Sequence, residues 1–190
     1  TFEEYNRIAS FFTRRLNPSS PVNFGSTLTL GNTGVAATEF LARYFSLTDH
    51  LFDPEDNILL TSEEAVRALE LLVAVRQYAP PTYCNWWRDT SRLFAQGDVA
   101  MTVLFSNYAS EMLDRDSKVH TRIGYAMVPG RNPLLGGGSI GVCKYSHHKQ
   151  EALNFIRWFC SEEVSSATTL MGSVSPCRKT YNNYQVIDTY

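Results

Sequence analysis

Several common signals of function are missing from this chain. Its 190 residues contain no apolar run approaching the roughly 20 that a membrane-spanning helix needs, so no direct membrane insertion of this segment is expected. Basic residues are not in excess. Lys and Arg number 17 against 19 Asp and Glu, scattered along a chain of net charge -2, which excludes the basic patch of a nucleic-acid partner. The four cysteines (Cys84, Cys143, Cys160, Cys177) stand far apart with no CxxC pair or metal-ligand spacing, and buried free thiols are expected. Thr1-Phe2-Glu3-Glu4-Tyr5 already reads as a helix start, not a secretory leader, so an exported parent would carry its leader outside this stretch.

Catalytic signals are equally thin. Gly136-Gly137-Gly138-Ser139 lacks the spacing of a phosphate loop, and Ser139 lacks a nucleophile elbow with His and acid partners. His147-His148 are adjacent, so their side chains diverge, and no third ligand is near; no metal site is expected. Glu63-Glu64 and Glu162-Glu163 are explained by the positive ends of helices. Neither catalytic residues nor a cofactor is expected.

What the chain does have is material for a core: 44% hydrophobic and 19% charged residues. Thr1-Phe2-Glu3-Glu4 is a capping box opening an expected helix over 2–16, with Ile8, Phe11, Phe12 and Leu16 as its stripe. Thr27–Leu30 alternates like a strand, Gly31-Asn32-Thr33-Gly34 turns, and a helix follows to about 45. A short strand is expected near 58–60. Thr61-Ser62-Glu63-Glu64 then opens the strongest helix, running to Tyr78 before Ala79-Pro80-Pro81. A helix over 89–96 stops at Gly97, a strand covers 99–104, and a helix covers 106–114. Strands at 122–128 and 139–144 and helices at 149–160 and 161–171 complete an α/β pattern.

Binding residues are sought at the carboxyl ends of strands, where open α/β sheets place ligands. Ser106-Asn107-Tyr108 follows the 99–104 strand: Asn107 offers donor and acceptor, Tyr108 a flat face with a hydroxyl, and Ser106 a helix cap. Trp86 and Trp87 occupy a proline-flanked loop, where they either stack on a sugar ring or anchor the loop to the core. Gly137 and Gly138 permit close approach of a ligand, or form a plain flexible loop. Asn32 in its turn is a further candidate.

Five segments in order carry a resemblance. They are Thr1–Tyr5, then Leu93-Phe94-Ala95-Gln96-Gly97-Asp98-Val99-Ala100-Met101, then Ile123–Gly130, then Gly137-Gly138-Ser139-Ile140-Gly141-Val142, then Lys149–Phe159. Together they resemble the family-1 extracellular solute-binding proteins of ABC transporters, the maltose-binding-protein-like family. The resemblance implies a type II periplasmic-binding-protein-like α/β lobe with helices packed on a mixed sheet. Residues 1–129 would form a second-lobe domain, and 130–190 a segment like first-lobe strand and helix returning toward the hinge. It implies binding of a small solute, a sugar or oligosaccharide, by hinge closure and its delivery to an ABC transporter permease. The location implied is extracellular or periplasmic, in a parent that is a cell-surface lipoprotein. Relatives often carry a tryptophan after the Ala-Met strand. Asn107 or Tyr108 stands there instead, which leaves the ligand class open. The loop holding Trp86 and Trp87, and the glycines before Ser139, often face the cleft. The alternative is a ligand-sensing module signalling to a membrane kinase. A glycosidase is disfavoured by the lack of a paired acid and base.

Overall fold

In the computed structural model, residues 1–130 and 132–189 are described. Arg131, within the expected 130–190 segment, and Tyr190 lie outside them, as do the side chains of Thr33 and Thr189. The chain divides into two units, Thr1–Leu135 and Gly136–Tyr190.

The first unit is built on α1 (Phe2–Phe11), capped by Thr1, whose hydroxyl accepts the Glu4 N–H at 3.2 Å. The helix ends well before residue 16. Thr13 turns its hydroxyl back onto the Ala9 carbonyl (2.7 Å) and accepts the Gly25 N–H (3.2 Å), while Arg14 N–H leaves the helix for the Asn23 carbonyl. This is side-chain competition with the helical ladder. Strand β1 (Phe24–Ser26) pairs in parallel with β2 (Val99–Met101), Phe24 opposite Val99 and Ser26 opposite Met101. Beyond Ser26 the extended chain changes partner: Cys84 N–H donates to the Leu28 carbonyl and Leu30 N–H to the Cys84 carbonyl. The alternation at Thr27–Leu30 is therefore real, but a single-residue partner makes it a bridge, and the strand proper lies three residues earlier. Thr27 and Thr29 are buried because their hydroxyls pair with Thr102 and Thr90, each at 2.7 Å.

Helix α2 (Thr33–Tyr44) is capped by Asn32 and α3 (Glu63–Val75) by Ser62, each accepting an N–H three residues on. A 3-10 turn continues α3 over Arg76–Tyr78. Around Phe2, Leu28, Leu71, Leu72 and Val75 the helices α1, α2 and α3 close the main core. Near 58–60 there is one antiparallel bridge, Phe52 with Ile58, across an Asp53–Asn57 turn. Helix α4 (Trp87–Ala95) begins two residues earlier than expected, because the Asp89 carboxylate accepts the Trp86 N–H at 3.1 Å and caps an end lacking a polar cap residue. Gly97 follows at φ 77°, the left-handed stop its position predicts. After β2 come a 3-10 turn, Ser106–Tyr108, and α5 (Ala109–Leu113).

Two expected strands are absent among the described residues. Residues 123–128 and 139–143 carry no regular structure, Arg122 and Lys144 lie in turns, and neither segment joins the sheet, which has two parallel strands and not a larger mixed set. A strand exists only through a ladder partner, which no property of its own residues supplies.

The second unit holds α6 (Lys149–Phe159), α7 (Glu162–Leu170), capped by Ser161, a 3-10 turn over Arg178–Asn182, and α8 (Tyr184–Thr189). Its buried residues are mainly polar: Ser165, Ser166, Thr169, Ser175 and Thr180, with Val186.

The cysteine expectation needs correction. All four thiols are free, but only Cys84 is buried; Cys143 and Cys160 are exposed and Cys177 is half-buried. Cys143 lies in a segment without ladder cover, and Cys160 caps a helix that buries no residue. No helix is long and apolar enough to cross a membrane, and no cluster suited to a metal ion occurs among the described residues.

Candidate functional site

The loop after β2 separates two cavities in the first unit. Residues Val103–Phe105 line both. The larger, about 520 Å³, is a groove between α1, the 100–106 segment and the 123–129 segment. The smaller, about 60 Å³, is walled by Thr38 and Glu39 of α2, Trp87 of α4, Phe105, Val128 and Leu134. Chemistry favours the smaller as a recognition site. It sets Trp87 and Phe105 beside the buried Glu39, whereas the groove, which has rings of its own (Tyr5, Phe94, Tyr125), has the exposed Glu4 as its acid.

Its rings form a ladder. Trp86 and Trp87 lie 4.5 Å apart at 56°, and Trp87 meets Phe105 edge-on at 5.2 Å and 83°. Trp87 is half-buried against Phe105, while Trp86 is 45% exposed at the outer end. The pair thus differs in burial: Trp87 packs against Phe105, and Trp86 stays exposed. The Asp89 cap holds this geometry by starting α4 at Trp87. A second brace ties α4 to α5: the Glu111 carboxylate accepts from Ser91 Oγ (3.0 Å) and pairs with Arg88 Nε (2.9 Å).

The polar wall comes from α2. Glu39 Oε1 accepts the Thr29 N–H at 3.2 Å, and Oε2 accepts from Arg43 Nη1 at 2.8 Å. Arg43 is 2% exposed, also donates to the Glu39 carbonyl at 2.7 Å, and lies 4.8 Å from the Phe2 ring centroid. Its Nε–H has no protein acceptor among the described residues. Burial also marks the groups beneath the site. Cys84 is raised above the ordinary thiol range by desolvation, so the thiol form dominates at neutral pH.

The other candidates are placed as follows. Asn107 is exposed in the 3-10 turn. Tyr108 is half-buried, and its carbonyl faces Ser91 Oγ. Ser106 is not a cap: Phe105 holds that position and no side-chain cap bond forms. Asn32 is exposed with its Oδ1 engaged by the Val35 N–H at 3.0 Å. Asn107, Tyr108 and Asn32 line neither cavity, whereas Ser106 lines the larger. Gly137 and Gly138 belong to the second unit and face open space. Thr38, Glu39 and Phe105 were not singled out by the sequence. The usable signal was Glu39 and Arg43, charges four residues apart inside an otherwise apolar helix.

A family model described as bacterial extracellular solute-binding protein matches residues 24–189. A Sinorhizobium fredii (strain NGR234) protein, described as a probable amino-acid ABC transporter periplasmic-binding protein, is 25% identical over 160 residues, 82% of this chain and 36% of that protein. Two solved structures match over 100% of the chain. A solute-binding protein of an ABC transporter from Agrobacterium radiobacter K84, in complex with ribitol, has a TM-score of 0.83 at 22% identity and is covered over 49%. Maltose-bound MalE3 from T. maritima has a TM-score of 0.86 at 19% identity and is covered over 50%. The chain spans half or less of the length of these relatives. The fold is that of the type II periplasmic-binding proteins, an α/β architecture.

Proposed function

Because the chain belongs to the bacterial extracellular solute-binding protein family, we propose that it is part of a non-catalytic receptor. That receptor binds a sugar or related polyol outside the cytoplasm and delivers it to an ABC transporter permease. The observation supporting a sugar is the ring ladder ending in exposed Trp86, beside a cavity with a buried carboxylate. Sugars present C–H faces to aromatic rings and hydroxyls to fixed acceptors. In this reading Trp86 stacks, Trp87 holds it in place, and Asn107 and Tyr108 contact the solute from the next turn. Asn32, Gly137 and Gly138 are added by the resemblance alone. Residues 1–129 then correspond to a second lobe and 130–190 to first-lobe material, with solute-driven closure as the signal read by the permease.

A two-lobed receptor divides its contacts between two faces. A solute held at about 1 µM by both is worth about 8 kcal/mol, and half of that corresponds to about 1 mM. This chain alone is therefore expected to bind maltose or ribitol at the millimolar level, measured by saturation-transfer NMR and calorimetry. Micromolar affinity would overturn the divided site. A lack of saturation transfer from both solutes at about 10 mM, well above that expected constant, would overturn the solute-binding reading.

A further inference from the structure

Glu39 is 8% exposed and lines the small cavity, yet its partners are internal: the Thr29 N–H and the Arg43 guanidinium. A carboxylate has about four acceptor positions, of which these two bonds occupy two, so capacity for a further donor remains. Its charge, however, is already matched by a guanidinium 2.8 Å away. An ammonium group entering the cavity would meet a carboxylate whose charge is already balanced by the buried Arg43 guanidinium, an ion pair of no net charge. It would also have to shed its hydration for no net charge partner. A hydroxyl meets neither obstacle, and it gains a bond to a charged acceptor, stronger than one to a neutral group. The cavity, about 60 Å³, is small, and Trp87 on its wall leads through ring contact to Trp86, so a terminal hydroxyl of the solute enters it with the remainder toward the rings.

We propose that the Glu39–Arg43 pair is a specificity-determining element: it accepts a hydrogen bond from an uncharged hydroxyl terminus of the solute and discriminates against ammonium-bearing solutes. This rests on the solute-binding reading of the same site. Buried ion pairs are often no more stabilising than apolar replacements, so a recognition role gives the pair a reason to persist that stability alone does not.

The test is saturation-transfer NMR on the full chain with maltose, ribitol, L-lysine and glycine betaine at equal concentration. Transfer to maltose or ribitol, and none to lysine or betaine, is expected. The paired variant Glu39→Met/Arg43→Met leaves no uncompensated buried charge, and should weaken polyol binding at least about tenfold, as for loss of a bond to a charged group. Circular dichroism and tryptophan emission report that it folds. If it does not, Glu39→Asp keeps the charge beside Arg43 while withdrawing the carboxylate by one methylene, and the same weakening is expected. Stronger transfer to lysine or betaine than to the polyols overturns the selectivity and leaves solute binding standing. Unchanged polyol affinity in a folded variant overturns the role of Glu39. No transfer to any of the four overturns the solute-binding reading, and this inference with it.

Discussion

Tyr5 shows how burial alone can write a pH dependence into one residue. Its hydroxyl sits 2.7 Å from Ser26 Oγ inside the core, and its pKa is pushed up to about 12, chiefly by desolvation of the phenolate, with the Glu39 charge adding to it. The folded protein thus keeps a proton that the unfolded chain releases near pH 10. The associated stability is fully present below pH 10 and is lost as pH rises toward 12. Urea melts at pH 9 and pH 11 should show this fall in the wild type and a shallower one in Tyr5→Phe; parallel falls would assign it to other groups. At this scale the sequence was informative wherever a residue acts on its own neighbours. Thr1, Asn32, Ser62 and Ser161 sit at helix starts and cap them. Ser106 was misread: Phe105 holds the cap position of the 3-10 turn that leads into α5.

Packing between elements rests on small residues at close crossings. At Gly25, where α1 passes over β1, an added Cβ would run into the backbone of Ala9. Gly25→Ala must therefore part the helix from the strand. The expected cost is about 1–3 kcal/mol, read from the urea midpoint at constant m-value. A wild-type midpoint would mean that α1 shifts freely on the sheet. Element existence was legible where periodicity and caps agree, as in α3 and α7. Element limits were not. Helix α1 stops at Phe11 because Thr13 bonds both Ala9 and Gly25, the latter contact crossing 12 residues of chain. The segments at 122–128 and 139–144 have strand-like composition, but a ladder is a property of two segments.

Across the whole molecule, apolar burial is uneven. Among the described residues, Val186 is the one buried hydrophobic residue of the second unit, whereas Phe2, Tyr44, Leu28, Val75 and others pack the first. Helix α6 buries no residue and leaves Phe155, Trp158 and Phe159 about half exposed. Local opening should follow this difference. Amides of α6 and α7 are expected to exchange at least about tenfold faster than those of α3 in native-state hydrogen exchange. Equal protection would show that the two units open together. The candidate site was partly legible at this scale. Trp86 and Trp87 stand out as a pair in the chain, but Thr38 and Phe105 join them only through the packing of α2 and the 103–105 segment around one cavity.

The sequence by itself determined the α/β class, the existence of the main helices, and the ordered motifs by which the family is recognised. All of these follow from composition and from interactions within a few residues. Tertiary structure alone decided which strands pair, that Trp87 is half-buried while Trp86 is exposed, and that Glu39, paired with Arg43, meets the cavity beside Trp87. Those are contacts between segments tens of residues apart, and their energies depend on burial and partner geometry that no local pattern encodes.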